Sequence, residues 1–593
     1  VYRELLLLED SGDGSVNNRS LFRKITYILM IVGLLLPLYY LGKPVSKGSG
    51  KIAELRSRHR MGQSDLGKLD PTSESMRLAT LGMRGIASTI LWIRADHYKE
   101  EKFFDRFSAT LNQIAMLQPH FISVWQHQAH NLSYNVSPEF EDYRQRYEWV
   151  KKGIDYLVKG TKLNSRKPIL QYDLGHYVGN KLGKADEKRQ YRELFRNDNE
   201  FHQYFVEQGL NALSDEAMGP DRKSDNWLVG KQWFEAAYEL VTKGAGIKKS
   251  PHLLYSYAPL WHMYHAEAIE EEGVLDERAR FAWERAGRDW RAFGNRELGG
   301  ATGDAVILRE LETREKEVQE AKNTFEELTG SAREAAIEAK KQQLPEAKLA
   351  AYNKPMRDRT ADENRAAIEV ETAIIPTYQE IAGQLPRSKQ FEALELAKKL
   401  TRAEIALQDT RSLRDQVNYS YWDVRASAEQ QEVLVDARRL MFEANALIDV
   451  ADVKGAVEKY DAAWTRWDKV FRYYPVMMTE EAGEEVLKSI NRYKKLIDQD
   501  LDESFVLWEF MNFRRAYDAD YLSFDVEKTL SQWSERAQKL GPPEDFFNTP
   551  LAETFGIKGE QNKEEPTAPS PPQDSAPPPS PEEPAKQEGE EPR

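Results

Sequence analysis

The chain has 593 residues, no cysteine, and 83 Lys and Arg against 97 Asp and Glu, a formal net charge of −14. Without cysteine there is no thiol catalysis, disulfide, thiolate zinc site or iron–sulfur cluster, and the acidic balance argues against nucleic acid as a partner, because displacing phosphate counterions needs a basic face. With 40% hydrophobic and 30% charged residues the chain can bury a core, and its length accommodates several domains.

Residues 1–24 read as a short N-terminal tail. The next 18 residues, Ile25 to Gly42 (ITYILMIVGLLLPLYYLG), carry no charge and are bounded by Arg23-Lys24 and Lys43. A helix of that length reaches about 27 Å, enough for the hydrocarbon core of a bilayer. Tyr39 and Tyr40 suit the headgroup layer, and Gly33 and Pro37 are tolerable in a spanning helix. The run is longer than a signal-peptide core and no Ala-x-Ala follows, so the expectation is an uncleaved single-pass anchor over 25–42. Arg19, Arg23 and Lys24 before it against Lys43, Lys47, Lys51 and Arg56 after it leave the side of the body undetermined. A short tail before a lone anchor favours an extracytoplasmic body.

Residues 43–75 have linker composition, with helix-start chemistry at Asp70-Pro71-Thr72-Ser73. From Ser75 to about Lys539 apolar residues recur at helical spacing and period-2 runs are scarce, so the fold class is all-α. Within 76–300 a quasi-repeat of about 34 residues is visible. Counted from Ser88, Leu91, Ala95 and Tyr98 stand at 4, 8 and 11, Leu111 at 24 and Pro119 at 32, while Phe107 takes the small-residue position 20. Counted from Ile122, Trp125, Ala129 and Leu132 stand at 4, 8 and 11, and NVSPEFEDY displaces the second helix. Counted from Pro168, Leu174, Gly175 and Val178 stand at 7, 8 and 11 and Tyr191 at 24, with Glu187 at 20. The stretch PHLLYSYAPLWHMYHAEA (251–268) echoes PHFISVWQHQAH (119–130), and DERARFAWERAGRDW would supply its second helix.

Residues 301–430 are rich in Glu, Lys and Ala, with Glu312 and Lys316 at ion-pair spacing, and read as long charged helices, a projecting hairpin or coiled coil interrupted at Pro345, Pro376 and Pro386. Helical pairing resumes over 431–545. Counted from Ala437, Leu440, Ala444, Leu447, Ala456, Tyr460 and Ala463 stand at 4, 8, 11, 20, 24 and 27. The tail 546–593 becomes Pro-, Glu- and Ser-rich and is expected to be disordered.

All ten histidines lie at or before residue 265. His127 with His130, and His262 with His265, are three apart on predicted helices, so each pair shares a face and offers two metal ligands. No HExxH, EF-hand loop, phosphate loop, GxSxG or dinucleotide fingerprint is present, so no catalytic activity and no cofactor are expected. A metal-binding or enzymatic module on those four histidines is the alternative.

The spacing of large and small residues resembles the tetratricopeptide repeat superfamily in degenerate form, over about 300 residues. In such arrays small residues let paired helices approach, and pairs stack into a solenoid with a concave groove. The resemblance implies that positions 2, 5, 6, 9 and 13 of each first helix face a protein partner. Here these positions include Gln126, His127, His130 and Tyr134; Tyr172, His176 and Asn180; and Asn445. In addition, YRELLLLEDSGDGSVNNRSLFRKITYI, LGMRGIASTILW, QPHFISVWQHQAHNLSYNVS and RYEWVKKGI are similar to a bacterial family of single-pass membrane proteins sometimes labelled "iron responsive element". That likeness implies a bacterial inner membrane. A cluster-based RNA switch needs cysteines, so the label supplies no mechanism. The expectation is a membrane-anchored helical-repeat scaffold for protein–protein interaction.

Overall fold

The computed structural model describes residues 26–30, 33–34, 84–300, 303–519 and 525–540. These residues are almost wholly helical; the one sheet among them pairs β1 (Leu298–Gly299) with β2 (Ala305–Val306), antiparallel. Two compact units emerge, one holding the described residues up to Ile269 together with Asp289–Val417, the other Glu270–Arg288 together with those from Asn418 onward.

The expected anchor is corrected. Among the described residues no helix is long and apolar enough to cross a membrane. Of the run 25–42 only 26–30 and 33–34 are described, as helix; the rest of the run lies outside the described residues. The single-pass inner-membrane placement, the membrane as a partner and the membrane-anchored scaffold fall with it. The expected tail 1–24, linker 43–75 and disordered segment 546–593 lie outside the described residues.

The first unit opens with α1 (Arg84–Glu100) and α2 (Phe104–Leu117), which form a hairpin, followed by a second hairpin of α3 (Ile122–His130) and α4 (Tyr143–Leu163). Asp142 starts α4 by accepting from the Arg144 amide at 2.9 Å. Gly160 of α4 lies flat against the Trp125 indole of α3, whose Nε1 donates to the Pro119 carbonyl at 2.9 Å. Next come α5 (Pro168–His176), α6 (Lys188–Asn197), α7 (Asn199–Glu207), α8 (Asn226–Thr242) and α9 (Pro251–Glu271), whose last two residues, like most of α10 (Glu277–Gly294), are assigned to the second unit. Here the 34-residue period fails. The partner of α5 is α8, about fifty residues downstream, because α6, α7 and the loop to Asp225 are inserted between them.

Glycine makes that crossing possible. Gly175 faces the Phe234 ring, Gly179 the Trp261 indole and Gly183 the Trp227 indole. A Cβ on Gly230 of α8 would meet the Gly179 amide nitrogen at 2.9 Å and the Gly175 carbonyl oxygen at 3.0 Å. Phe107, set against the small-residue template, is instead a fully buried core residue beside Ile114, Val150, Ile154 and Leu157. Each such side chain contributes roughly 1.5–3 kcal/mol by leaving water.

A coiled coil is not formed over 301–430, which corrects that expectation. The chain folds into α11 (Leu311–Thr329), α12 (Ala332–Lys341), α13 (Glu346–Asn353), α14 (Ala361–Ala373), α15 (Tyr378–Gly383) and α16 (Arg387–Gln416), broken at Gly330, Pro345, Pro355, Pro376 and Pro386. Val318, Phe325, Ala393, Ala397 and Leu400 share their apolar cluster with Ala332, Ala336, Ile381 and Ala382. That makes a many-helix contact rather than a two-stranded seam.

The second unit contains α17 (Tyr419–Ala428), α18 (Glu432–Asp449), α19 (Val453–Tyr473), α20 (Glu480–Ile497), α21 (Trp508–Ala519) and α22 (Val526–Leu540). Ala437, Ala444, Ala456 and Ala463 are wholly buried between α18 and α19, and Trp464, Trp467 and Phe471 fill the adjoining space. Beside them lies a buried charge cluster. Arg438 donates to both oxygens of the inaccessible Glu429 carboxylate, at 2.8 and 2.5 Å, and to Glu485 at 2.8 Å.

Candidate functional site

In the first unit α1 contacts α3, α3 contacts α5, and α5 contacts α9. Trp92 of α1 stands edge-on to His127 of α3, with centroids 5.4 Å apart, and Lys99 Nζ donates to Asn131 Oδ1 at 3.3 Å. Between α3 and α5, Gln126 Nε2 donates to Asp173 Oδ2 at 2.7 Å, and Tyr134 meets Tyr177 edge-on at 5.6 Å. Between α5 and α9, Tyr257 sits 5.6 Å from Tyr172 and 4.5 Å from His176, and Trp261 Nε1 donates to the Gly175 carbonyl at 2.9 Å.

Both α3 and α5 continue into π-helical turns, Asn131–Val136 and Tyr177–Lys181. Such wide turns are rare and recur at functional sites, where they re-aim side chains. Tyr134 and Asn180 stand in them. His130 stacks on Tyr134 (4.8 Å, 18°), and Lys181 Nζ lies 4.5 Å from the Tyr134 ring centre. Lys249 Nζ lies 4.8 Å from the Tyr172 ring centre. Lys99, Lys181 and Lys249 hold no ion pair among the described residues. Lys151 and Lys231 of the same unit, by contrast, reach Asp198 at 2.6 Å and Glu235 at 2.8 Å.

The electrostatics follow from that arrangement. Burial, then His127, Lys99 and Lys181, push the His130 imidazolium down. Burial also lowers Lys181 and raises the Tyr134 phenol. Asp173 is raised by burial to about 6, against the pull of Gln126 and Lys249. His176, boxed by Tyr172, Phe234, Tyr257 and Trp261 at 4.5 to 5.3 Å, is held down to about 4 by burial and then Lys249.

The structure thus brings Gln126, His127, His130, Tyr134, Tyr172, His176 and Asn180 onto one unit. Tyr172 is buried and Gln126 is spent on Asp173, whereas His127, His130 and Asn180 are exposed. Asn445 belongs to the second unit, and its Oδ1 accepts from Tyr460 at 2.8 Å and from Arg492. Periodicity missed Lys99, Asp173, Tyr177, Lys181, Lys249 and Tyr257. Tyr257 had a signal, since the 251–268 echo sets it level with Trp125; the lysines had none.

The metal alternative is corrected. Among the described residues no group of three or more His, Cys, Asp or Glu side chains is placed to hold a metal ion. His262 Nδ1 donates to Asp289 Oδ2 at 2.8 Å, and His265 Nδ1 lies 3.1 Å from Asp225 Oδ1. Burial pushes Asp225 up, but Arg192 and His265 overcome it and hold the carboxyl well below its usual range. Arg192 donates to Asp225 at 2.9 Å and to Asn226 at 2.6 Å. These histidines serve buried networks that link helices. His127 in turn sits within 3.1 Å of Asn131 Nδ2.

No family model matches the chain, and no curated protein is similar to it. The likenesses to tetratricopeptide repeats and to a bacterial family of single-pass membrane proteins are corrected accordingly. Small residues facing large rings account for the paired helices without a shared family.

Proposed function

We propose that the first unit is a binding module whose α1–α3–α5–α9 face takes an extended, carboxylate-rich chain. The observation that carries the reading is the set Lys99, Lys181 and Lys249. Each rests on an amide or an aromatic ring instead of a carboxylate. Such cations keep their hydrogen-bonding capacity for an incoming anion, and the rings beside them offer stacking surface. Four neighbouring helices spaced by about 9 Å give a track of roughly 27 Å, the reach of about eight extended residues.

Fluorescence anisotropy of a labelled decaglutamate peptide with the full chain tests this. Saturable binding that weakens with salt is expected. Lys99→Gln and Lys181→Gln should each weaken it roughly 3- to 10-fold, about 0.7–1.4 kcal/mol. Lys159→Gln, which removes an ion pair with Asp155 on the second-helix layer, should leave it unchanged. Absence of saturable binding, or equal loss in all three variants, contradicts the reading.

A further inference from the structure

We infer that ligand binding at this face takes up a proton at His130, so that affinity for a carboxylate-rich chain rises as pH falls from 8 to 6. The inference rests on the binding role just proposed. His130 is exposed, stacks on Tyr134, and makes no ring hydrogen bond among the described residues. Its ring nitrogens are therefore available to a ligand.

The groups around His130 come from three elements. Its own helix supplies His127 and, in the following turn, Tyr134; α1 supplies Lys99; the turn after α5 supplies Lys181 and Tyr177. Of the carboxylates in this region, Asp173 is turned to Gln126, and Glu187 and Asp186 act on Lys181. In the unoccupied state the imidazole thus stands among cations and neutral rings, which oppose its protonation. A bound carboxylate reverses the sign of that environment. It favours the imidazolium, and by linkage the imidazolium favours the carboxylate. His176 differs because its aromatic box keeps it neutral, and His127 because its Nδ1 already faces Asn131.

The test measures decaglutamate affinity for the full chain at pH 6, 7 and 8 and constant ionic strength. The probe stays ionised throughout that range. Wild type should bind about 3- to 10-fold more tightly at pH 6 than at pH 8. In His130→Gln and in His130→Asn the ratio of the two dissociation constants should fall to about 1, while His97→Gln retains the wild-type ratio. Titration calorimetry in two buffers of different ionisation enthalpy should show proton uptake on binding near pH 7, lost in His130→Gln. Saturable binding with no pH slope, or a slope that survives in both His130 variants, overturns the inference and leaves the binding role standing. Absence of binding at every pH removes both.

Discussion

Glu270, near the C-terminal end of α9, is buried, and its carboxyl faces the Trp283 indole without a well-formed hydrogen bond among the described residues. Arg438 Nε stands 3.6 Å away but is engaged by Glu429. Burial first, and the Glu429 charge second, push the Glu270 carboxyl well above its usual range, against Arg438 and Arg425. A carboxyl raised in this way binds its proton more tightly in the folded chain than in the unfolded one. The stability linked to it is whole below the ordinary carboxylate range and is lost as pH rises from there toward the folded value. Glu270→Gln keeps the shape and removes the charge. The variant should be more stable than wild type by about 1–3 kcal/mol at pH 8, with a smaller gap at pH 5. Urea denaturation followed by tryptophan fluorescence measures both, and an equal gap at the two pH values would refute the assignment. The histidines teach the complementary lesson. A pair three apart on a helix looks the same in sequence whether it awaits a metal or, as with His262 and His265, two carboxylates reached only after folding.

At the scale of elements, helix pairing was legible wherever small residues fell at regular spacing within one hairpin. Ala437, Ala444, Ala456 and Ala463 marked the α18–α19 contact, and all four are wholly buried. The pairing of α5 with α8 was not legible, because Gly175, Gly179 and Gly183 reveal that something approaches closely but not which segment does. The charged middle misled for a related reason. Its Ala-rich helices present apolar stripes that fit several partners, and prolines divide them. The α5–α8 crossing gives a sharp test. Gly230→Ala sets a methyl against the backbone of α5, which cannot yield as a side chain would, and should destabilise the first unit by about 1–3 kcal/mol. Gly246→Ala, with no atom within 4 Å of the added carbon, should be neutral or slightly stabilising. Thermal unfolding compares them, and equal melting temperatures for both variants would contradict the close approach.

For the molecule as a whole, composition and periodicity announced a chain that is helical almost throughout its described residues. They were silent on which cations lack an anion, since that depends on every acid the fold brings near. Lys151 and Lys181 are alike in sequence terms; only folding gives Asp198 to one and a tyrosine ring to the other.

The wide turn after α3 separates what the chain needs to fold from what it presents. An i to i+5 bond encloses one residue more than the α-helical i to i+4. Removing a single residue there therefore lets the backbone close into ordinary helix while the flanking segments keep their buried sides. Asn135 is exposed, and its side-chain amide donates to Asn131 Oδ1. Excising it should leave circular dichroism and melting temperature nearly unchanged while scattering the His130–Tyr134–Lys181 constellation, so decaglutamate affinity should drop at least fivefold. Such an indel, silent in bulk spectroscopy yet ruinous for recognition, would mark this surface as something the fold carries without depending on it.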